Sequence, residues 1–225
     1  MNGWADEVPA QNTCVIHTTR EELSANLDKA KTLLGKIERL NIVLTDIEAF
    51  KDNDIVGYKD TLDSLAERIV DLYKNGKKAQ TNLLTDRLLL KGMNNCGAGD
   101  TNITLAPDGN FYVCPAFYYD KESVCLGGSK KGLNMRNKQL YRLDHAPICS
   151  HCDAWQCKRC VWLNRKLTCE VNTPSHEQCV LAHIERNVSR DLLNAMRQHD
   201  VFLPEVQDIE EIDYLDPFDN NDKWQ

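Results

Sequence analysis

The sequence predicts an α/β protein in consecutive parts: a partial parallel (β/α) barrel over residues 1–92, a cysteine-rich domain with a β-hairpin and helices over residues 93–190, and a helix end with an acidic tail over residues 191–225. Three observations lead there. Strand-like and helix-like segments alternate up to about Met93, seven of the ten cysteines form a spaced array after it, and the last residues carry a dense run of acids.

The alternation begins with "TCVIHT", a short apolar run with β-branched residues, followed by Thr19 to Glu22, a capping box that can satisfy free amides at a helix start. Leu23, Leu27, Ala30, Leu34 and Ile37 then recur at helical spacing and give one apolar face. "LNIVLT", Leu40 to Thr45, is nearly continuous in apolar residues, which predicts a strand covered on both faces. Leu62, Leu65, Ala66, Ile69 and Leu72 form the stripe of a second helix that stops at Gly76. "TNLL" from Thr81 opens a third strand. Strand, helix, strand, helix in this order implies parallel βα units. Eight such units usually close a barrel, so this stretch is part of one, with an open edge that needs a cover.

From Met93 the pattern changes. "NITLAPDGNFYVC" reads as two short strands joined at Pro107-Asp108-Gly109. Gly127, Gly128 and Gly132 punctuate the following loop. A last helix is expected from "NTPSHEQC", with Thr173 as cap and Pro174 in the first position, continuing through Leu181, Ile184, Val188, Leu192 and Met196.

Composition narrows the class. With 42% apolar and 27% charged residues in 225, the chain is globular rather than wholly disordered. No apolar run approaches the ~18 residues of a membrane span. "MNGWADEVPAQNT" lacks the basic and apolar regions of a signal peptide, so a cytoplasmic protein is expected, in which thiols serve as metal ligands or core residues rather than disulfides. The net charge of −7 resides in the stretch from Pro204 to Gln225, read as a solvated tail or a docking segment for a basic partner. Residues 130–170 carry nine Lys or Arg against three acids, but no recognition motif accompanies them and no nucleic-acid partner is expected.

The array comprises Cys96, Cys114, the run Cys149, Cys152, Cys157 and Cys160, and then Cys179. Closely paired thiolates suit a soft metal or a cluster, because one short loop presents two sulfurs to the same centre. Zinc sites commonly leave about 12–20 residues between two CxxC pairs. Here four separate them, a density closer to ferredoxin-type ligation. Zinc remains open on spacing alone, and disulfides within so short a loop would cross-link little.

"CGAGDTNITLAPDGNFYVC" is Cys96, twelve residues, Gly109, four residues and Cys114. It resembles the opening of the SPASM domain, the C-terminal extension of many radical S-adenosylmethionine (SAM) enzymes that modify peptides. There too a four-cysteine run and a single cysteine follow, and all seven positions have a counterpart here. The run is one residue shorter than the family form in each of its two later gaps. "RLNIVLTDIEAF", the next amphipathic helix and "CGAG" look like the end of a radical SAM barrel running into its SPASM domain; the likeness covers about residues 10 to 190. "CKRCVWLNRKLTCEVNTPSHEQC" is similar to the CXXX-repeat peptide maturases.

The resemblance implies two auxiliary [4Fe–4S] clusters, one on Cys149, Cys152, Cys157 and Cys179, the other on Cys96, Cys114 and Cys160. The fourth iron site of the second would be open, or filled by Cys125, Cys169 or a peptide thiol. It further implies a cysteine-containing precursor peptide as partner. A radical SAM enzyme needs CxxxCxxC near its first strand, and the only cysteine before Cys96 is Cys14. SAM cleavage is therefore not expected from this chain alone; it would be the C-terminal half of a longer enzyme or the partner of a chain that brings the missing barrel half. The alternative is a non-enzymatic adaptor in which zinc stabilises the fold and the basic surface recruits a peptide.

Other residues have plainer readings. Cys14 is expected in the core, and His145, His151 and His183 in solvated or hydrogen-bonded roles. Asp46 and Glu48 follow a strand, where barrel sites collect residues, but loop capping is the simpler role. Trp155 and Trp162 are expected to shield the cluster from water. "LGGSKKG" lacks the spacing of a phosphate loop.

Overall fold

The computed structural model describes residues 4, 13–120, 125–199 and 208–209. Elements follow in the order β1 (Thr13–Thr18), α1 (Arg20–Ala25), α2 (Leu27–Leu34), β2 (Arg39–Leu44), α3 (Asp52–Lys74), β3 (Gln80–Thr81) and α4 (Thr85–Leu89). After these come β4 (Thr104–Leu105), β5 (Phe111–Tyr112), α5 (Pro115–Tyr119), β6 (Gly127–Gly128), β7 (Gly132–Leu133), α6 (Val161–Thr168) and α7 (His176–Gln198). The chain divides into two compact units: one of Met1–Met93, Asp153–Gln156 and Glu177–Gln225, the other of Asn94–Cys152 and Cys157–His176. Unlike a division at residue 190, this places α7 from Glu177 onward in the first unit, together with four residues taken from inside the cysteine run.

The first unit is built on a parallel sheet in the order β1-β2-β3, with Thr13 opposite Arg39 and Thr18 opposite Leu44. Cys14 and Ile16 of β1 and Leu40 and Ile42 of β2 alternate into a core shared with Leu23, Leu34, Leu62, Leu65, Ile69 and the α7 residues Ile184, Val188, Leu192 and Met196. The opposite sheet face stays open: Val15 is 40% and Val43 38% exposed. The expectation of a second strand covered on both faces is thus corrected; its apolar run is half-buried.

The capping box forms as expected: the Glu22 amide donates to Thr19 Oγ1 at 3.2 Å, and the Thr19 amide to Glu22 Oε2 at 3.1 Å. The helix after it is broken in two. Asn26 donates its side-chain amide to the Glu22 carbonyl at 2.8 Å, and its φ of −111° and ψ of 24° turn the chain between α1 and α2. Helix α3 ends as read, with Gly76 at φ 78°, its amide bonded to the Tyr73 carbonyl and the Lys77 amide to that of Leu72. The third strand is shorter than "TNLL" and starts one residue earlier. Asn82 takes over the ladder, accepting from the Ile42 amide at 2.7 Å and donating to the Ile42 carbonyl at 2.8 Å, so a side chain does the work of the next strand residue. The chain then turns into α4.

In the second unit β4 and β5 form the expected antiparallel hairpin, Thr104 opposite Tyr112, turning through Gly109 at φ 78°. The glycines read as loop punctuation pair as a second hairpin, β6 with β7. A small cluster of Ala98, Val113, Phe117 and Val161 forms the apolar core, flanked by partly buried Tyr112, Tyr141 and Trp162. Helix α7 begins at His176, so Thr173 is not its cap and Pro174 precedes it. Among the described residues no helix is long and apolar enough to cross a membrane. Of the C-terminal acidic stretch only Asp208 and Ile209 are described; the Asp208 carboxylate pairs with Arg197, and the rest of that reading lies outside the described residues.

Candidate metal centre

Cys96 opens a tight loop whose shape the sequence "CGAG" requires. Gly97 (φ 67°) and Gly99 (φ 80°) both lie in the left-handed region, and a Cβ on Gly97 would stand 2.1 Å from Thr101 Oγ1, one on Gly99 2.4 Å from the Tyr141 ring. The Asn102 side-chain amide closes the loop onto the Cys96 carbonyl at 2.6 Å. Cys114 follows β5 and precedes α5, and Cys160 precedes α6. These three thiols are electrostatic neighbours. Burial raises the Cys160 thiol pKa, the Leu163 and Trp162 amides at the start of α6 oppose this, and the negative charge of Cys114 and Cys96 adds to the rise. By total surface Cys160 is exposed, yet its sulfur is desolvated; the latter concerns the reactive atom and is the better guide to its chemistry.

Cys149 and Cys152 form a second neighbourhood. The thiol of buried Cys149 is pushed up to about 11, first by burial and then by the charge of Cys152, with Arg159 opposing. Between Cys152 and Cys157 the chain is clamped within the first unit. Asp153 takes a two-point contact from Arg186, at 2.8 and 3.0 Å, and a third bond from Arg87 at 2.9 Å. The Arg87 guanidinium lies 4.0 Å from the centroid of the Trp155 ring. Buried Gln156 donates to the Ala182 carbonyl at 2.7 Å. Burial would raise the Asp153 carboxyl, but Arg186 and Arg87 outweigh it and hold it below the usual value. Beside this clamp the Tyr58 hydroxyl donates to Glu185 at 2.7 Å, and burial pushes the Glu185 carboxyl up to about 7 against the hydrogen bonds from Tyr58 and Gln156.

Past the clamp, "CKRC" bends through two consecutive left-handed residues, Lys158 (φ 32°) and Arg159 (φ 42°), an arrangement that costs of order 1–3 kcal/mol per residue. Arg159 is 2% exposed, and its terminal nitrogens donate to the carbonyls of Tyr141 and Arg142. Its Nε is buried without a hydrogen-bond partner, as is Trp162 Nε1.

Cys160 thus feels the charge of Cys114 and Cys96, and Cys149 that of Cys152, while Cys179 lies buried in the first turn of α7 in the first unit. Cys157 is half-buried next to the clamp. Of the reserve ligands, Cys125 and Cys169 are both exposed, and Cys169 ends α6 in a left-handed conformation. Cys14 is a core residue of β1, and His183 is buried on α7, while His145 contacts Asp144 and His151 is exposed. Asp46 caps α1, accepting from the Arg20 amide at 3.2 Å and pairing with its side chain at 3.3 Å. The Trp155 ring is occupied by Arg87, while Trp162 packs on the small core of the second unit. Sequence reasoning missed Arg87, Asp153, Arg159, Glu185 and Arg186. The charged residues within the cysteine run, Asp153 and Arg159, were the signal available, but their pairing is made by distant segments.

Among the described residues no three His, Cys, Asp or Glu side chains are gathered around one point that could hold a metal ion. The donor chemistry does fit a soft, anionic, sulfur-rich group: desolvated thiols in two neighbourhoods, and an orphaned buried guanidinium nitrogen beside them. No protein-family model matches the chain, and no curated protein resembles it closely enough to count as a relative.

Proposed function

We propose that this chain is an iron–sulfur protein of a radical SAM peptide-maturation system, holding two auxiliary [4Fe–4S] clusters that position a cysteine-containing precursor peptide or transfer electrons. The observation that carries the reading is the division of the cysteines. The charge of Cys114 and Cys96 acts on Cys160 and that of Cys152 on Cys149, which supports the two ligand sets that the resemblance to SPASM domains implies. In this reading Cys96, Cys114 and Cys160 ligate one cluster and Cys149, Cys152 and Cys157 the other. Bound there, the clusters provide redox chemistry and, at an open iron, a seat for a peptide thiol. The chain itself contributes ligands on rigid turns, a clamp at Asp153 that fixes the link between two CxxC pairs, and the exclusion of water.

The parallel sheet belongs in this reading to a partial barrel. The exposed Val15 and Val43 support a partner, because strands of a closed parallel barrel bury both faces. A radical SAM partner chain or barrel half would bring both that cover and the SAM-cleaving cysteines.

The test separates the two neighbourhoods. After anaerobic reconstitution, Cys160→Ser and Cys149→Ser should each lose about half of the iron and sulfide and of the visible absorbance, about four irons apiece. Colourless protein with stoichiometric zinc and no sulfide would replace the proposal by the zinc-stabilised peptide adaptor.

A further inference from the structure

Among the described buried polar groups of the second unit, Arg159 is the one cation beside the thiols whose circumstances the fold does not account for. It lies between Cys157 and Cys160, is 2% exposed, and is held there through a backbone bent into the left-handed region at two successive positions. Its terminal nitrogens are fixed by the Tyr141 and Arg142 carbonyls, and the Tyr141 ring is itself packed against Gly99 of the loop that carries Cys96. Its Nε, by contrast, is sealed from water with no acceptor. An orphaned hydrogen-bonding atom of this kind costs about 1–3 kcal/mol, more on a charged group, unless something else satisfies it. The groups whose ionised forms act on Arg159 are Cys149, Cys96, Asp100 and Cys157. Cys149 and Cys157 belong to one implied ligand set and Cys96 to the other, so this cation faces both.

We infer that Arg159 is a positioning residue for the sulfur-rich group of this array, its buried guanidinium balancing the negative charge of both cysteine sets and its Nε–H satisfied by an anionic sulfur. The inference rests on the iron–sulfur reading and deepens it. Fixed positive charge beside a cluster favours the more negative, reduced state and raises the potential. Groups that support ligands without touching the metal also govern how tightly it is held, and their loss commonly costs about 10–100-fold in affinity.

The experiment compares reconstituted wild type with Arg159→Gln and Arg159→Lys in the full chain, reading iron and sulfide content, retention against a chelator, and midpoint potential by electron paramagnetic resonance titration. Arg159→Gln, which removes the charge, should release iron about 10–100-fold more readily and show a more negative potential. Arg159→Lys, which keeps the charge but lacks the forked donor, should lie between it and wild type. If Arg159→Gln fails to fold, as circular dichroism would show, Arg159→Lys decides: a negative shift supports the role and an unchanged potential overturns it. Loaded clusters with identical potential and retention in all three proteins overturn the inference while leaving the iron–sulfur reading intact. Wild type that takes up no iron overturns both.

Discussion

The two units are stabilised on different terms. In the first, thirty buried apolar residues form one continuous cluster across β1, β2, α3 and α7 among the described residues. In the second, four buried apolar residues among the described ones form the core cluster, although the unit carries eight of the ten cysteines. Hydrophobic burial contributes about 1.5–3 kcal/mol per large side chain, which is ample for the first and scarcely offsets chain entropy in the second. Small units with such cores draw stability from disulfides or metals, and thiols are the donors present here. Under the iron–sulfur reading, metal binding in the second unit would be a folding requirement as well as a chemical one.

The strongest way to break that contrast is to remove the metal. Chelation should abolish hydrogen-exchange protection at Val113, Phe117 and α6, while protection of β2 and α3 persists; equal loss in both units would mean that they do not draw on separate sources of stability. Next in size is the clamp. Asp153→Ala leaves Arg87 and Arg186 uncompensated and should lower stability in urea by about 3–5 kcal/mol. A change within ±0.5 kcal/mol, the usual range for surface substitutions, would show that the clamp carries no load. Leu62→Ala in the large core should cost about 2–5 kcal/mol while iron content per folded chain stays constant. A loss of iron in that variant would couple what the comparison separates.

The last prediction concerns pH. Glu185 has a folded pKa raised to about 7 by burial, above the unfolded value of about 4.3. Below both values it costs nothing; as pH rises between them the unfolded chain loses its proton first, so stability falls, by roughly 4 kcal/mol once pH exceeds the folded value. Glu185→Gln should flatten that decline in urea melts taken from pH 4 to pH 8. An unaltered slope would place the dependence elsewhere.

The sequence disclosed what local chemistry decides. The box at Thr19 and Glu22, the stripe of α3 with its Gly76 stop, and the hairpin at Gly109 are each written in a few adjacent residues. What it hid depends on competition or on distance. Asn26 breaks an apolar period because its amide takes a helix carbonyl, and Asn82 ends a strand because its side chain completes the ladder. Half-burial of β2 could not be read from "LNIVLT", since an apolar run does not say whether a second layer exists. The cysteine array was legible as spacing, but not the role of the residues between the cysteines. Asp153, Trp155 and Gln156 look like a spacer until Arg87 and α7 are brought to them. Arg159 likewise gains its meaning from Tyr141 and Cys96, far away in the chain.

Iron, sulfide and zinc measured in the anaerobically reconstituted full chain, together with its visible spectrum, decide between a cluster protein and a zinc protein. The account predicts brown protein with about eight irons and eight sulfides per chain and little zinc. Colourless protein holding zinc and no sulfide would contradict it.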